Sequence, residues 1–230
     1  GNTPSINVSE KFPEVLSANL KLEYFSPTGS FKDRGTSVLI NQAYMNGIEE
    51  FAEDSSGNAG ASMSAYAANI GMKAHIFTPN STPENKKNQI KIFGSELHLI
   101  DGPRENSTVA VKEFTKSTGI NYLSHNYNPF FIEGMKSFGN EVFNEFHGDI
   151  TDIIIPVGNG SLLIGAVKAY EELIKSKKIS KMPKMHCVQV EGFSPIVNKF
   201  NSTNWKFNEF SKTLAGGIAV SNPPRLNQVI

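Results

Sequence analysis

A chain of 230 residues is long enough for one large domain or two smaller ones, and an apolar content of 39% favours a buried core over disorder. Basic and acidic residues number 22 each, so no net charge favours nucleic acid or an anionic membrane as a partner. The single cysteine, Cys187, excludes a disulfide within the chain and is typical of a reducing compartment. No signal-peptide pattern or long apolar run indicates secretion or membrane insertion.

Short β-rich runs alternate with longer helical patterns along the chain. Strands are predicted at 19–24, 73–79, 96–100, 121–124, 151–157 and 184–192. Helices are predicted at 32–47, 57–71, 82–94, 104–119, 133–146 and 162–178, with Thr82 as the cap of the third and Pro83 as its first residue. This alternation is typical of βαβ units, so it predicts an α/β protein with mostly parallel sheets. The apolar run DIIIPV (152–157) is typical of a strand buried on both faces.

The segment SPTGSFKDRG (26–35) is the first of three junctions with an unusual composition. The residues PTGS are typical of a turn, and Lys32 follows in the first turn of a predicted helix. The positive end of the helix dipole favours the neutral form of an amine, which can attack a carbonyl carbon. Because the chain contains many lysines, an ordinary solvated lysine remains the alternative.

Two further junctions place glycines and polar residues before an apolar helix. Such loops present backbone N–H groups to a carboxylate or a phosphate. The second junction consists of Ser55, Ser56, Gly57, Asn58, Ala59 and Gly60, with helix capping by Ser56 as the alternative. The third consists of Val157, Gly158, Asn159, Gly160, Ser161 and Leu162. The third junction lacks the Gly-Lys-Ser/Thr of a P-loop and the last glycine of a dinucleotide motif, so an anion is predicted without its identity.

No other reaction centre is evident in the sequence. The histidines at 75, 98, 125, 147 and 186 show no metal-ligand spacing, and no metal is predicted. Neither a serine nucleophile motif nor a distinctive pair of carboxylates is present. An activated amine with two anion sites fits a carbonyl cofactor that carries its own phosphate, and pyridoxal phosphate fits best.

The chain resembles the fold-type II pyridoxal-phosphate enzymes, and most closely the threonine synthases. The matching segments, in the order of that family, are GNTP (1–4), PTGSFKDRG (27–35), DSSGNAGAS (54–62), NPFFIEGMKS (128–137), PVGNGS (156–161), VEG (190–192) and GGIAVSNPP (216–224). The resemblance implies a two-lobed, three-layer α/β/α fold similar to the β subunit of tryptophan synthase. Residues 1–40 and 125–230 would form the larger, cofactor-binding lobe, whose C-terminal part is expected to be missing. Residues 41–124 would form the smaller lobe, which carries the substrate loop.

The same resemblance assigns roles to residues at the three junctions. Lys32 would form a Schiff base with pyridoxal phosphate and transfer protons, and Asn58 would hydrogen-bond the 3′-oxygen of the cofactor. The substrate carboxylate would bind Ser55, Ser56, Gly57, Asn58 and Ala59. The cofactor phosphate would bind Val157, Gly158, Asn159, Gly160, Ser161 and Leu162. The hydroxyl or thiol partner of the pyridine nitrogen would lie beyond SNPPR (221–225).

The implied activity is that of a carbon–oxygen lyase of threonine biosynthesis. Such an enzyme converts O-phosphohomoserine and water to threonine and phosphate, and its relatives are usually cytoplasmic homodimers that act on small amino acids. One departure concerns Phe131, which stands where threonine synthases commonly have an arginine for the substrate phosphate. A serine/threonine dehydratase, or another β-elimination or replacement enzyme, is therefore the alternative. A catalytically silent cofactor-binding fragment is the alternative of another class.

Overall fold

The computed structural model describes residues 1–55, 57–207 and 212–230. Its contacts separate the chain into two units, Gly1–Ser124 and His125–Ile230. Ser56 of the predicted substrate loop lies outside the described residues. Within the described ranges, every helix is too short or too polar to cross a membrane.

The first unit is built around a four-stranded parallel sheet. It begins with an antiparallel pair, β1 (Ser5–Asn7) and β2 (Asn19–Lys21). The parallel strands are β3 (Glu50–Glu53), β4 (Lys73–Pro79), β5 (Glu96–Ile100) and β6 (Asn121–Tyr122), in the order β5-β4-β3-β6. The helices are α1 (Lys32–Met45), α2 (Asn58–Ile70), α3 (Glu84–Lys91) and α4 (Arg104–Thr118). Ala52, Phe77 and Val111 form a buried core between the sheet and α4, with Phe114 packed against them.

The second unit combines a two-stranded parallel sheet with a tightly packed helix pair. Its strands are β7 (Asp152–Pro156) and β8 (Lys184–Val188). Its helices are α5 (Pro129–Phe146), α6 (Ser161–Lys175), α7 (Pro195–Phe200) and α8 (Leu226–Val229). Glycines allow α5 and α6 to approach closely: a Cβ built on Gly165 would lie 2.3 Å from Cβ of Met135, and one on Gly139 would lie 2.8 Å from Cβ of Ala169.

The predicted α/β class with parallel sheets is confirmed, and most predicted elements are present. Helix α5 begins at Pro129 rather than at residue 133, because the side chain of Asn128 caps it by accepting a hydrogen bond from the backbone N–H of Phe130. Strand β3 is not among the predicted elements, since its four residues are too few to show a periodicity.

Four local predictions are wrong. The strand predicted at 184–192 ends at Val188. The strand predicted at 19–24 ends at Lys21, because a 3₁₀ turn over Glu23–Phe25 follows. Thr82 does not cap α3: Pro83 occupies the N-cap position, and the hydroxyls of Thr78 and Thr82 bond to each other at 2.7 Å. Strand β7 is not buried on both faces, since Ile154 is 69% exposed; its sheet is covered on one face only by the residues that the structure describes.

The predicted lobes differ from the two observed units in the place of residues 1–40. Those residues belong by their contacts to the first unit, in which α1 packs against α2 and the carboxylate of Asp33 accepts a hydrogen bond from Ser62. The grouping of residues 1–40 with 125–230 therefore stays a prediction from the resemblance.

Replacing Gly165 by alanine should destabilise the protein. Alanine is favoured over glycine in a helix by about 1 kcal/mol. The added Cβ would, however, lie 2.3 Å from Cβ and 2.7 Å from the carbonyl carbon of Met135, so α5 and α6 must separate. Overpacking of this kind costs about 1–3 kcal/mol, and contact with backbone atoms puts the cost at the upper end.

Urea unfolding of Gly165→Ala should therefore show a free energy of unfolding lower by about 1–2 kcal/mol. Gly216→Ala is the matched control, because a Cβ there meets nothing within 4 Å. Equal stability of the two variants would contradict the close packing of α5 and α6.

Candidate active site

Asp33 holds the segment before α1 in place. Its carboxylate is fully buried and accepts hydrogen bonds from the backbone N–H of Thr28 at 2.7 Å and from the hydroxyl of Thr28 at 2.6 Å. The hydroxyl of Ser62, on α2, donates a third bond at 2.6 Å. Gly29 adopts φ +80° in this turn, a conformation that favours glycine. One carboxylate thus joins the PTGS turn, the start of α1 and the body of α2.

Arg34 anchors the same segment on its other side. Its guanidinium is 1% exposed and makes a bidentate pair with Glu23, with Nε and Nη2 at 2.7 and 2.8 Å from the two carboxylate oxygens. Nη2 also donates to the hydroxyl of Thr3 at 3.0 Å. The two residues that follow Lys32 are therefore structural anchors, and they fix the backbone from which Lys32 projects.

Lys32 is the first residue of α1 and is half-buried. Burial lowers the pKa of its amine to about 8, with a further lowering from Arg104 and an opposing effect of Glu53. Its Nζ lies 4.3 Å from the centre of the Phe31 ring. The sequence predicted a neutral amine from the helix dipole, whereas in the structure the main cause is desolvation. Near neutral pH the amine exists partly in the form that attacks carbonyl carbons.

The predicted substrate loop connects β3 to α2. Asp54, at its start, is held by hydrogen bonds from Arg104 to its carbonyl and from Tyr122 and Thr108 to its carboxylate. The side chain of Ser55 is buried and accepts a hydrogen bond from the N–H of Gly57 at 3.4 Å. This anchoring fixes the backbone of the loop as it enters α2.

The amino end of α2 is built from backbone rather than from a capping side chain. Gly57 stands at the N-cap position, and a Cβ there would meet nothing within 4 Å. Asn58 and Ala59 are the first two residues of the helix, and Asn58 is exposed while Ala59 is buried. Gly60 is required for close approach, because a Cβ there would lie 2.3 Å from the carbonyl oxygen of Ser55. The open space beside Gly57 and the exposed Asn58 suit an anionic group.

The predicted phosphate loop, in the second unit, connects β7 to α6. The N–H of Val157 bonds to the carbonyl of Val188 at 2.8 Å, which continues the strand pairing by one residue. Gly158 lies against the backbone of residues 217–218. Gly160 adopts φ +89° and occupies the N-cap position of α6, without a capping side chain. Ser161 and Leu162 then open the helix, and both are buried. The loop therefore leads into the amino end of α6, with glycines at positions 158 and 160.

Asn126 and Arg225 lie beside this loop and were not predicted from the sequence as site residues. The side-chain N–H of Asn159 donates to Oδ1 of Asn126 at 3.0 Å, and Arg225 Nε donates to the carbonyl of Asn126 at 2.6 Å. Oδ1 of Asn159 is buried and has no hydrogen-bond partner among the residues that the structure describes. An unsatisfied buried acceptor costs free energy, so this oxygen is suited to a ligand group that donates a hydrogen bond. Arg225 had only the turn-like SNPPR context as a signal in the sequence.

Phe131 is a core residue of α5. It is fully buried, and its ring lies 5.8 Å from that of His125 in an edge-on arrangement. Lys136, five residues further along α5, is held by Glu133 at 2.6 Å and by Glu172 of α6 at 2.8 Å. Position 131 thus contributes packing rather than charge.

This fold, a lysine with a lowered pKa and glycine-rich helix amino ends are typical of α/β enzymes that act on an anionic carbonyl compound. The model of the family described as "Pyridoxal-phosphate dependent enzyme" matches residues 1–229, and the chain belongs to this family. Pyridoxal phosphate is therefore its cofactor, as predicted. The lowered pKa of Lys32 and the open space beside Gly57 fit such a group.

Curated relatives agree with this assignment, and solved structures share the fold. Threonine synthases of Methanocaldococcus jannaschii and of a Bacillus species are 31% and 33% identical, over 97% of this chain in each case. The chain spans 56% and 62% of their lengths. The fold is similar to that of threonine deaminase isoform 2 from Solanum lycopersicum, with TM-score 0.80 and 21% identity over 95% of this chain and 59% of that one. Maize serine racemase gives 0.81 and 22% over 95% and 65%.

The reactivity of Lys32 towards an amine-directed reagent should rise with pH around a midpoint of about 8, because only the neutral amine reacts. Glu53→Gln removes a negative charge that favours the ammonium form, so its midpoint should be lower. Arg104→Gln removes a positive charge that disfavours that form, so its midpoint should be higher.

Mass spectrometry of cofactor-free protein, labelled briefly at a series of pH values, measures the midpoint for the wild type and for each variant. The exposed Lys116 in the same digest serves as the reference for the reagent. Midpoints that move in the same direction in both variants would contradict the assigned charges.

Proposed function

We propose that this chain is the cofactor-binding part of a threonine synthase, with Lys32 as the lysine to which pyridoxal phosphate is attached. The observation that carries the proposal is the half-buried amine of Lys32, with its pKa of about 8, at the start of a helix anchored by Asp33 and Arg34. The similarity to threonine synthases over 97% of the chain supports the substrate, O-phosphohomoserine.

Bound pyridoxal phosphate supplies a carbonyl group and a ring that withdraws electrons from the substrate Cα. The contribution of Lys32 is to take and return protons at the substrate carbon atoms, for which a pKa near the working pH is suited. Glu53 and Arg104 act on this pKa in opposite directions and keep it in that range.

The two helix amino ends provide the anion sites of the proposal. Ser55, Gly57, Asn58 and Ala59 would bind the substrate carboxylate at the start of α2, and Asn58 would also hydrogen-bond the cofactor. The loop from Val157 to Leu162 would bind the cofactor phosphate at the start of α6. A cytoplasmic homodimer remains part of this proposal.

A β-elimination reaction on serine or threonine is the second candidate, and Phe131 is the observation that favours it. A fully buried phenylalanine offers no charge to a substrate phosphate. Arg225 partly offsets this argument, because its guanidinium bonds to Asn126, whose side chain in turn bonds to Asn159 of the phosphate loop. If the protein is a threonine synthase, we expect Arg225 to contribute to binding of the substrate phosphate. If it eliminates from serine or threonine, no such role is expected for Arg225.

Lys32→Ala should abolish covalent attachment of the cofactor, because position 32 then offers no amine. Borohydride treatment of the wild-type holoprotein should fix the cofactor on the peptide that contains Lys32, as detected by mass spectrometry. Lys116→Ala, on the exposed surface of α4, should behave as the wild type. Attachment that persists in Lys32→Ala would reject the assignment of Lys32, and loss in both variants would point to a general folding effect.

A substrate panel on the full-length protein distinguishes the two candidate reactions. Phosphate release from O-phosphohomoserine is expected for a threonine synthase, and 2-oxoacid formation from serine or threonine is expected for a dehydratase. A silent fragment would give neither product.

If the first reaction is found, Arg225→Gln should raise KM for O-phosphohomoserine by about 10- to 100-fold, since a charged hydrogen bond contributes about 1.5–3 kcal/mol. Lys181→Gln, an exposed control, should leave KM unchanged. An unchanged KM in Arg225→Gln would remove Arg225 from the substrate site.

A further inference from the structure

Two histidines and a glutamate meet at the amino ends of two neighbouring strands. His75 is the third residue of β4, and Glu96 and His98 are the first and third of β5. The parallel register pairs His75 with Glu96 and Phe77 with His98. The Ser55–Ala59 loop follows the opposite, carboxyl end of β3, so this cluster belongs to the other end of the same sheet.

The ligand atoms of the cluster are spaced like one face of a metal coordination shell. Nδ1 of His75 lies 3.0 Å from Nε2 of His98 and 3.5 Å from Oε2 of Glu96. Nε2 of His98 lies 3.6 Å from Oε1 of Glu96. In a tetrahedral zinc site with bonds of about 2.0–2.1 Å, neighbouring ligand atoms are roughly 3.3 Å apart. The three side chains therefore need only small adjustments to bind one ion.

Glu50 orients His75 towards this position. Its Oε1 lies 2.7 Å from Nε2 of His75, so that nitrogen carries the hydrogen and Nδ1 turns its lone pair into the cluster. A carboxylate that accepts a hydrogen bond from the far nitrogen of a metal-binding histidine is a recurrent feature of zinc sites. Lys73, 2.8 Å from the same oxygen, neutralises Glu50.

Aromatic packing fixes both rings and leaves one side open. Phe77 stacks on His98 at 4.3 Å with an interplanar angle of 7°, and Phe114 lies 4.9 Å from His75. The side chain of His75 is 4% exposed, whereas that of Glu96 is 51% exposed. An ion can therefore enter from the side of Glu96 and keep a water as its fourth ligand.

We propose that His75, His98 and Glu96 bind a divalent transition-metal ion of the zinc class, with Glu50 as the positioning carboxylate. Two imidazoles and one carboxylate form a ligand set that Zn²⁺ accepts, and three protein ligands leave one position for water. The ion would tie β4 to β5 at the end of the sheet away from Lys32, so its role would be structural or regulatory rather than catalytic. This proposal does not depend on the reaction that the protein catalyses.

Binding of Zn²⁺ to the chelator-treated full chain, in competition with a chromophoric chelator, tests the site. One equivalent should bind to the wild type, and His98→Gln and Glu96→Gln should lower the affinity by at least about 100-fold. Glu50→Gln should lower it by about 10- to 100-fold, the range known for such positioning partners. His186→Gln is the matched control: His186 is a histidine outside the cluster that pairs with Asp152, and its loss should leave the affinity unchanged.

Two further measurements separate binding at this site from folding effects and from other ligands. Zn²⁺ should raise the unfolding temperature of the wild type and of His186→Gln, but not that of Glu96→Gln, whose exposed position leaves folding intact. Substituted Co²⁺ should show a tetrahedral spectrum without a thiolate band. A thiolate band would place the ion at Cys187 and overturn the proposal. Equal affinity of the wild type and all variants would overturn it too, and so would no binding of Zn²⁺ to the wild type. In the last case the cluster is an ion-pair network only.

Discussion

The buried carboxylate of Asp33 is the interaction on which the candidate active site depends. It accepts three hydrogen bonds, two from Thr28 and one from Ser62. Hydrogen bonds to a charged group contribute about 1.5–3 kcal/mol each, which offsets the cost of burying the charge. Because Lys32 precedes Asp33 and Ser62 belongs to α2, the same carboxylate sets the position of the reactive amine and of the helix that begins at the substrate loop.

The pKa of Lys32 follows from where that anchor places it. Desolvation is the largest effect, so the amine is more reactive because water is excluded from it, and Arg104 adds to the lowering. Glu53 opposes the effects of desolvation and of Arg104 on this pKa, which keeps part of the Lys32 amine in the ammonium form. A group that must both take and return a proton works best near its pKa, so this opposition suits proton transfer.

Local chemistry made part of this site predictable, and long-range pairing accounts for what was missed. The helix starts at Lys32 and after both glycine-rich junctions were predicted because turn and cap residues are neighbours in the sequence. The roles of Asp33 and Arg34 as anchors, and the contact of Arg225 with Asn126, depend on residues distant in the chain. The exposed face of β7 was also missed, because DIIIPV has the same composition whether one or both faces are covered.

Strand β3 connects the two ends of the first unit's sheet. Glu50, at its start, contacts His75, and Glu53, at its end, acts on the pKa of Lys32. Three residues of extended strand span roughly 10 Å, which separates the contact of Glu50 with His75 from the charge of Glu53 near Lys32. Glu53 is placed by the backbone of β3 and its register with β4, so this one strand sets both the contact of Glu50 with His75 and the charge that opposes the lowering of the pKa of Lys32.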